Sequence, residues 1–246
     1  NTRDGGTHLD GFKTALTFVL NKCLDNNEKL KKQFEKDTSD KSKKADENKG
    51  EKLMGNSKQV YVRSCPGFPV NSYEPIECTL NGCEFVIAPQ EGSFIFVADW
   101  KTFVVPEDIV IVGIENMENF RMIRQQRELF ESTVGNRRLL FVSRYPQSAD
   151  QRMWLQKIPN SYVHFGDFDL AGIHIFLTEF YPFLGNRGSF LIPADIEERL
   201  KHGSIERYNL QYPRFHGIET DIVSLQNLID TINRHHRCYD QEGYIR

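Results

Sequence analysis

The sequence lacks the long apolar run that a membrane-spanning helix needs. Its 246 residues contain no stretch of about 18 consecutive apolar residues, and no secretory signal opens the chain. Both absences predict a cytoplasmic protein that does not contact a membrane. An initiating methionine is also missing, since the chain starts at Asn1, and we expect a fragment or a processed chain.

Cysteine is scarce, with five residues in all. An odd number does not fit a fully paired disulfide framework, and no second Cys or His pair stands at zinc-binding spacing. Cys78 and Cys83 flank a predicted hairpin turn at Asn81 and Gly82. That turn places Cys78 opposite Phe85, so the two cysteines do not face each other. We therefore predict reduced thiols, as in cytosolic proteins.

A strong charge of one sign is also missing, because the net charge is −3. The overall charge therefore neither favours nor excludes a nucleic-acid partner. The distribution is more informative, because lysines crowd the first sixty residues whereas arginines dominate after residue 120. The guanidinium fork of arginine matches phosphate better than the point charge of lysine does.

Composition divides the chain into four segments. Residues 1–34 carry apolar residues at helical spacing and predict an N-terminal helical segment. Residues 35–58 mix charges of both signs and are typical of a flexible linker. The β-rich pieces over residues 59–105, punctuated by Pro and Gly, predict a small antiparallel sheet. Residues 106–246 form the fourth segment, in which apolar strands alternate with helical patterns.

The alternation from residue 106 onward predicts an α/β fold, with a Rossmann-like, doubly wound parallel sheet and flanking helices. Asn116 and Asp169 are expected to cap two of the helices. The predicted strands cover residues 107–115, 137–144, 161–169 and 189–193, and the predicted helices cover residues 116–130, 148–158, 170–180, 194–203 and 219–236.

Two aspartates one residue apart, Asp167 and Asp169, follow the third of these strands. Like charges so close raise the pKa of one carboxyl unless a positive charge lies beside them. Glu115 ends the first strand, and ligands of parallel α/β sheets bind at the carboxyl ends of the strands. Three carboxylates at one edge predict a hard-oxygen site for Mg²⁺ or Mn²⁺. A purely structural helix cap is the alternative role for Asp169.

These motifs resemble the Toprim domain, in the form found in the A subunit of topoisomerase VI. "IVGIENMENF", "LLFVSRYPQSADQRMWLQKI" and "VHFGDFDLAGIHIF" are similar to that family's segments after the first, second and third strands. The Toprim subunit of Wadjet-type plasmid-defence systems is also similar, in "ENxxNF" at Glu115–Phe120 and in a late pair, Gln241 and Glu242. The resemblance covers about residues 106–246 and implies Mg²⁺-dependent cleavage of the DNA backbone.

A second, shorter resemblance lies near the start of the chain. "DGGTHLDGFKTALT", residues 4–17, is similar to the start of the transducer domain of the gyrase B protein. The rest of a transducer domain and the ATP-binding motifs of that family do not follow it. This stretch implies kinship with type II topoisomerase machinery, or a fusion, and it does not imply ATPase activity.

The Toprim resemblance implies a nuclease or nickase that works with an ATPase partner. Glu115, Asp167 and Asp169 would then be the catalytic residues and the ligands of Mg²⁺ or Mn²⁺.

Three further residues are predicted to contact DNA phosphate from the same edge of the sheet. Arg144 and Tyr145 end the second strand, and Arg152 lies in the helix that follows. A surface salt bridge is an equally good interpretation of Arg144.

Two other functions remain open at this stage. The chain can be the cleavage subunit of a type IIB-like topoisomerase, in which a tyrosine attacks DNA, or a non-catalytic Toprim module that binds DNA or a partner. Tyr61 and Tyr73 are weak candidates for the nucleophile, because both lie in strand-like or loop surroundings. The sequence leaves open whether the chain forms a homodimer.

Overall fold

A mixed sheet forms the centre of the part of the chain that the structure describes. The computed structural model describes residues 66–144 and 148–245, which fall within the compact unit Arg63–Arg246. The strands in these residues are β1 (Phe68–Ser72), β2 (Ile76–Leu80), β3 (Cys83–Ile87), β4 (Ile95–Val97), β5 (Val110–Ile114), β6 (Leu139–Ser143), β7 (Tyr162–Phe165) and β8 (Gly188–Phe190).

Six of these strands pair in the order β4-β1-β6-β5-β7-β8. Strands β6, β5, β7 and β8 run parallel, and every residue of β5, β6 and β7 is buried. Burial on both faces explains why these strands read as continuous apolar runs in the sequence. The predicted α/β architecture is confirmed as a mixed, mostly parallel sheet.

The β-rich segment before the parallel strands divides between two sheets. β2 and β3 form a hairpin, whose turn residues Asn81 and Gly82 have φ angles of 54° and 75°. Cys78 lies opposite Phe85, as predicted. β1 and β4 do not stay with that hairpin, because β1 pairs antiparallel with β6 and β4 with β1. They cover the edge that β6 would otherwise expose.

Helices cover the sheet, and two of the predicted ones are interrupted. A 3₁₀ turn at Ile123–Gln126 divides the helix predicted over residues 116–130, and a π turn at Phe176–Phe180 follows the helix that Asp169 caps. The described α-helices are α1 (Met117–Arg121), α2 (Arg127–Val134), α3 (Ser148–Leu155), α4 (Leu170–Ile175), α5 (Tyr181–Leu184), α6 (Ile196–Leu200), α7 (Ile205–Phe215) and α8 (Val223–His235).

Helix α7 was not predicted from the sequence. Ser204 caps it by accepting a hydrogen bond from the amide of Arg207, and a Ser cap is a signal that the sequence does contain. Pro213 near the end of α7 disguises the helical pattern. None of the described helices is long and apolar enough to cross a lipid bilayer.

Aromatic side chains fill the space between the helices and the sheet. Phe130 of α2 packs edge-on against Phe141 of β6 and Phe165 of β7, with ring centroids 5.0 and 5.4 Å apart. Trp154 stacks on Phe103 and donates a hydrogen bond to its carbonyl at 2.9 Å. Trp154 is therefore a packing residue of the core.

Gly113 in β5 allows the ring of Tyr162 to cross the neighbouring strand. A Cβ atom at residue 113 would lie 2.6 Å from Cζ of Tyr162, and the Tyr162 hydroxyl is held in turn by Nδ1 of His164 at 2.9 Å. Because both partners are buried in the sheet, neither can move away.

Gly113→Ala should therefore lower the free energy of unfolding by about 2 kcal/mol through overpacking. Urea denaturation checks this, with Gly217→Ala as the control, since a Cβ atom at residue 217 has open space around it. Equal stability of the two variants would contradict this account of the sheet.

Candidate functional site

The ends of three adjacent parallel strands bring the predicted site residues to one edge of the sheet. Ile114 lies opposite Ser143 of β6 and Phe165 of β7, so the next residues, Glu115 and Arg144, leave the sheet side by side. Gly166 follows β7 at the same level, and a Cβ atom there would lie 2.9 Å from Oε2 of Glu115.

Glu115 is bound by Arg144. Nη1 of Arg144 donates a hydrogen bond to Oε1 of Glu115, and only 17% and 14% of the two side chains are exposed. Nε2 of His164 lies 3.6 Å from the same oxygen. Burial, and then the charge of Arg144, keeps the pKa of His164 well below its usual value. His164 is therefore neutral.

Arg144 also approaches a second carboxylate, that of Glu179. Its Nη2 lies 3.5 Å from Oε2 of Glu179, and Nη1 of Arg152 lies 2.8 Å from the same oxygen. The alternative interpretation of Arg144 as a salt-bridge residue thus describes this structure, and Arg152 shares its partner. Tyr145, the third predicted DNA contact, lies outside the described residues.

Asp169 is both a helix cap and part of the charged cluster. Its Oδ1 accepts the amide of Gly172 at 2.7 Å, at the start of α4, and its Oδ2 accepts Nε2 of Gln211 at 2.7 Å. Glycine is required at 172, because a Cβ atom would lie 2.5 Å from the carbonyl oxygen of Asp167. The capping role anticipated for Asp169 is confirmed.

Asp167 has no capping role and is partly buried. Its Oδ1 accepts the amide of Gln241 at 3.0 Å, and its Oδ2 lies 3.4 Å from Nη1 of Arg207. Burial raises the pKa of Asp167 to about 6, with smaller upward contributions from Asp169 and Asp240. The direction of this shift agrees with the sequence argument, but its main cause is burial and not repulsion by the neighbouring carboxylate.

One nitrogen of Arg207, Nη1, lies within ion-pair distance of three aspartates. Nη1 bonds to Oδ1 of Asp240 and lies 3.4 Å from Asp167 and 3.7 Å from Asp169. The positive charge that the sequence required beside the aspartate pair is therefore supplied here by a side chain of α7. Sequence reasoning missed Arg207 because it missed the helix.

The C-terminal segment around Gln241 contacts both the residues that follow β5 and the residues that follow β7. Gln241 is buried, and its side-chain oxygen accepts the amide of Asn116 at 3.3 Å, while its own carbonyl accepts Nδ2 of Asn119 at 2.8 Å. Asn116 also donates to Glu242. Together with the bond from the Gln241 amide to Asp167, these contacts place the late Gln-Glu pair at the predicted site.

The predicted set of three metal ligands is not assembled in the structure. Glu115 is bound by Arg144, whereas Asp167 and Asp169 are bound by Arg207. Within residues 66–144 and 148–245, no group of three or more His, Cys, Asp or Glu side chains has the arrangement of a metal site. The physical reason is that two guanidinium groups neutralise the acids separately.

Comparison with known proteins shows that the N-terminal and C-terminal parts of the chain match different families. The family model for DNA gyrase B matches residues 1–44, which confirms the gyrase-like resemblance of residues 4–17. The gyrase B protein of Treponema denticola is 60% identical over 37 residues, and that of Treponema pallidum is 57% identical over 37 residues. Each match covers 15% of this chain and 6% of the gyrase protein.

A larger part of the chain matches a different family model. It is described as a domain of unknown function, DUF7281, and it covers residues 74–246, which include strands β2 to β8 and every site residue described above. Because this match spans well over half of the sequence, the chain belongs to the DUF7281 family.

Proposed function

We propose that this chain is a Toprim-type, DNA-cleaving enzyme that uses Mg²⁺ or Mn²⁺ and works with an ATPase partner. The observation that carries the proposal is the position of Nη1 of Arg207 among Asp167, Asp169 and Asp240. A cationic group that hydrogen-bonds to Asp167 and Asp240 and forms an ion pair with Asp169 occupies the kind of place that a metal ion takes among oxygen ligands. The gyrase-like segment at residues 1–44 supports a link to topoisomerase machinery.

The donor chemistry at this position suits a hard divalent cation, although the described side chains do not have the arrangement of a metal site while Arg207 lies among them. They offer carboxylate oxygens, which Mg²⁺ and Mn²⁺ prefer. Three aspartates exceed the charge of one guanidinium, so the cluster around Arg207 has room for a second positive charge. The Arg207 side chain is 36% exposed, so it can turn toward solvent. When bound, the metal would polarise the phosphodiester and stabilise the leaving oxygen.

Glu115 fits the metal site only after Arg144 releases it. Arg144 and Arg152 lie at the same edge and suit the nonbridging oxygens of a phosphate. A phosphate that draws Arg144 away from Glu115 would free that carboxylate to complete the acidic set. In this scheme the arginines orient the DNA backbone, and the aspartates hold the cation.

Hydrolysis by water is favoured over attack by Tyr73. The hydroxyl of Tyr73 donates to the carbonyl of Ile123 at 2.9 Å, and burial raises the pKa of Tyr73. Such a hydroxyl is a poor nucleophile. Tyr61 lies outside the described residues. A type IIB-like topoisomerase with its tyrosine elsewhere, and a non-catalytic DNA-binding module, are the other candidate functions.

Asp167→Asn should reduce the nicking of supercoiled plasmid by about 100-fold or more, because it removes a charge that binds the metal. The assay measures nicked and linear product with Mg²⁺ or Mn²⁺ present. Asp221→Asn, in an exposed loop, is the control and should cut like the wild type.

The products separate the candidate functions. Protein-free nicks that Asp167→Asn loses support hydrolysis. DNA covalently joined to protein would support the topoisomerase, and cutting that survives in Asp167→Asn would contradict the assigned role of that residue.

Arg207→Gln should strengthen Mn²⁺ binding about tenfold, because no guanidinium then competes for the aspartates. Without metal, the same variant should lose about 1 kcal/mol of unfolding free energy, since the carboxylates lose their counter-charge. Calorimetric titration above pH 7 measures the first effect, with Arg214→Gln on the exposed part of the same helix as control. Weaker Mn²⁺ binding by Arg207→Gln would contradict the proposal that the Arg207 guanidinium and the metal ion occupy the same position.

The stability of the wild type should depend on pH through Asp167. Because its pKa is raised from 3.8 to about 6 in the folded state, the folded chain binds a proton that the unfolded chain has released. Relative to Asp167→Asn, the wild type should therefore lose about 2 kcal/mol of stability as the pH rises from about 4 to about 6. Urea denaturation in a chelator measures both proteins, and a pH-independent difference would refute the assignment.

A further inference from the structure

Glu179 stands between the two arginines predicted to hold phosphate. Its Oε2 lies 2.8 Å from Nη1 of Arg152 and 3.5 Å from Nη2 of Arg144. One carboxylate oxygen thus faces two guanidinium groups, which is also how arginine pairs hold a phosphate oxygen. About one third of the Arg152 and Glu179 side chains is exposed, so a ligand from solvent can reach this position.

The two arginines are fixed on separate elements, whereas Glu179 lies on an irregular one. Arg144 follows β6, and its guanidinium packs over the ring of Phe180 at 5.6 Å. Its Nε is buried and has no hydrogen-bond partner in the structure, so the side chain has unused donor capacity. Glu179 belongs to the π turn Phe176–Phe180, and such turns are frequent at functional sites.

We propose that Glu179 holds the place of a DNA phosphate and is displaced from the arginine pair when DNA binds. This rests on the proposed function, because the phosphate belongs to the DNA backbone. Arg144 and Arg152 carry two positive charges, which Glu115 and Glu179 balance. Once Glu179 turns to solvent, one positive charge is left over to attract phosphate, so Glu179 weakens DNA binding in the resting chain.

Glu179→Gln should therefore bind DNA more tightly than the wild type, by about three- to fivefold, as expected for the loss of one competing carboxylate. Glutamine keeps the shape of the side chain and removes the charge. The measurement is fluorescence anisotropy of a short labelled duplex with the full chain, in a chelator so that no cleavage occurs. The dependence of affinity on salt should also become steeper by about one ion.

Two control variants separate this effect from a general change of surface charge. Glu131→Gln removes another carboxylate that an arginine binds, since Glu131 accepts from Arg127 in α2, and its DNA affinity should equal that of the wild type. Adding Arg152→Gln to Glu179→Gln should cancel the gain, because the freed guanidinium is then absent. Circular dichroism and thermal unfolding establish that each variant is folded.

The outcomes distinguish this inference from the proposed function. Tighter binding by Glu179→Gln, together with unchanged binding by Glu131→Gln, supports it. If folded Glu179→Gln binds as the wild type does, or more weakly, the inference fails while DNA binding itself stands. If neither protein binds the duplex, the proposed function fails together with the inference.

Discussion

The pairing of acids with arginines at the carboxyl ends of β5, β6 and β7 is the constraint on which the site depends. Parallel strands in register deliver Glu115 and Arg144 to the same level, and the loop after β7 adds the aspartate pair. Partial burial removes the water that would otherwise solvate these charges. Each of these carboxylates therefore needs a positive charge beside it. In the absence of a ligand, the guanidinium groups of Arg144 and Arg207 supply that charge. Because these ion pairs join elements that are far apart in sequence, they hold the tertiary structure together as well as neutralising the site.

The same constraint defines how a DNA-cleaving enzyme of this architecture would work. In that enzyme, a metal ion would take the place of the Arg207 guanidinium among the aspartates. A DNA phosphate would take the place of the Glu179 carboxylate between Arg144 and Arg152. Without ligands, the charges of the site are neutralised by ion pairs within the chain. Binding of DNA and metal together would break those ion pairs. A chain that joins a gyrase-like segment to a DUF7281 domain is consistent with such a role in DNA metabolism, which remains our proposal.

Much of the fold could be predicted because its signals are local. Continuous apolar runs marked β5 and β6, the turn at Asn81 and Gly82 marked the hairpin, and Asn116 and Asp169 marked helix starts. The partners of the site acids could not be predicted in this way. Arg207 lies forty positions from Asp167, on a helix that Pro213 obscured. The division of the acids between two arginines depends on three-dimensional placement, so sequence alone favoured one shared metal site.

The central claim is that Arg207 occupies a cation position between Asp167 and Asp169. Anomalous diffraction from crystals grown with Mn²⁺, together with a DNA duplex, would test it most directly. Our account predicts a manganese peak bonded to oxygens of both aspartates, with the Arg207 side chain turned away from them. It would be contradicted if Arg207 kept its bonds to the aspartates and no manganese bound beside them at saturating concentration.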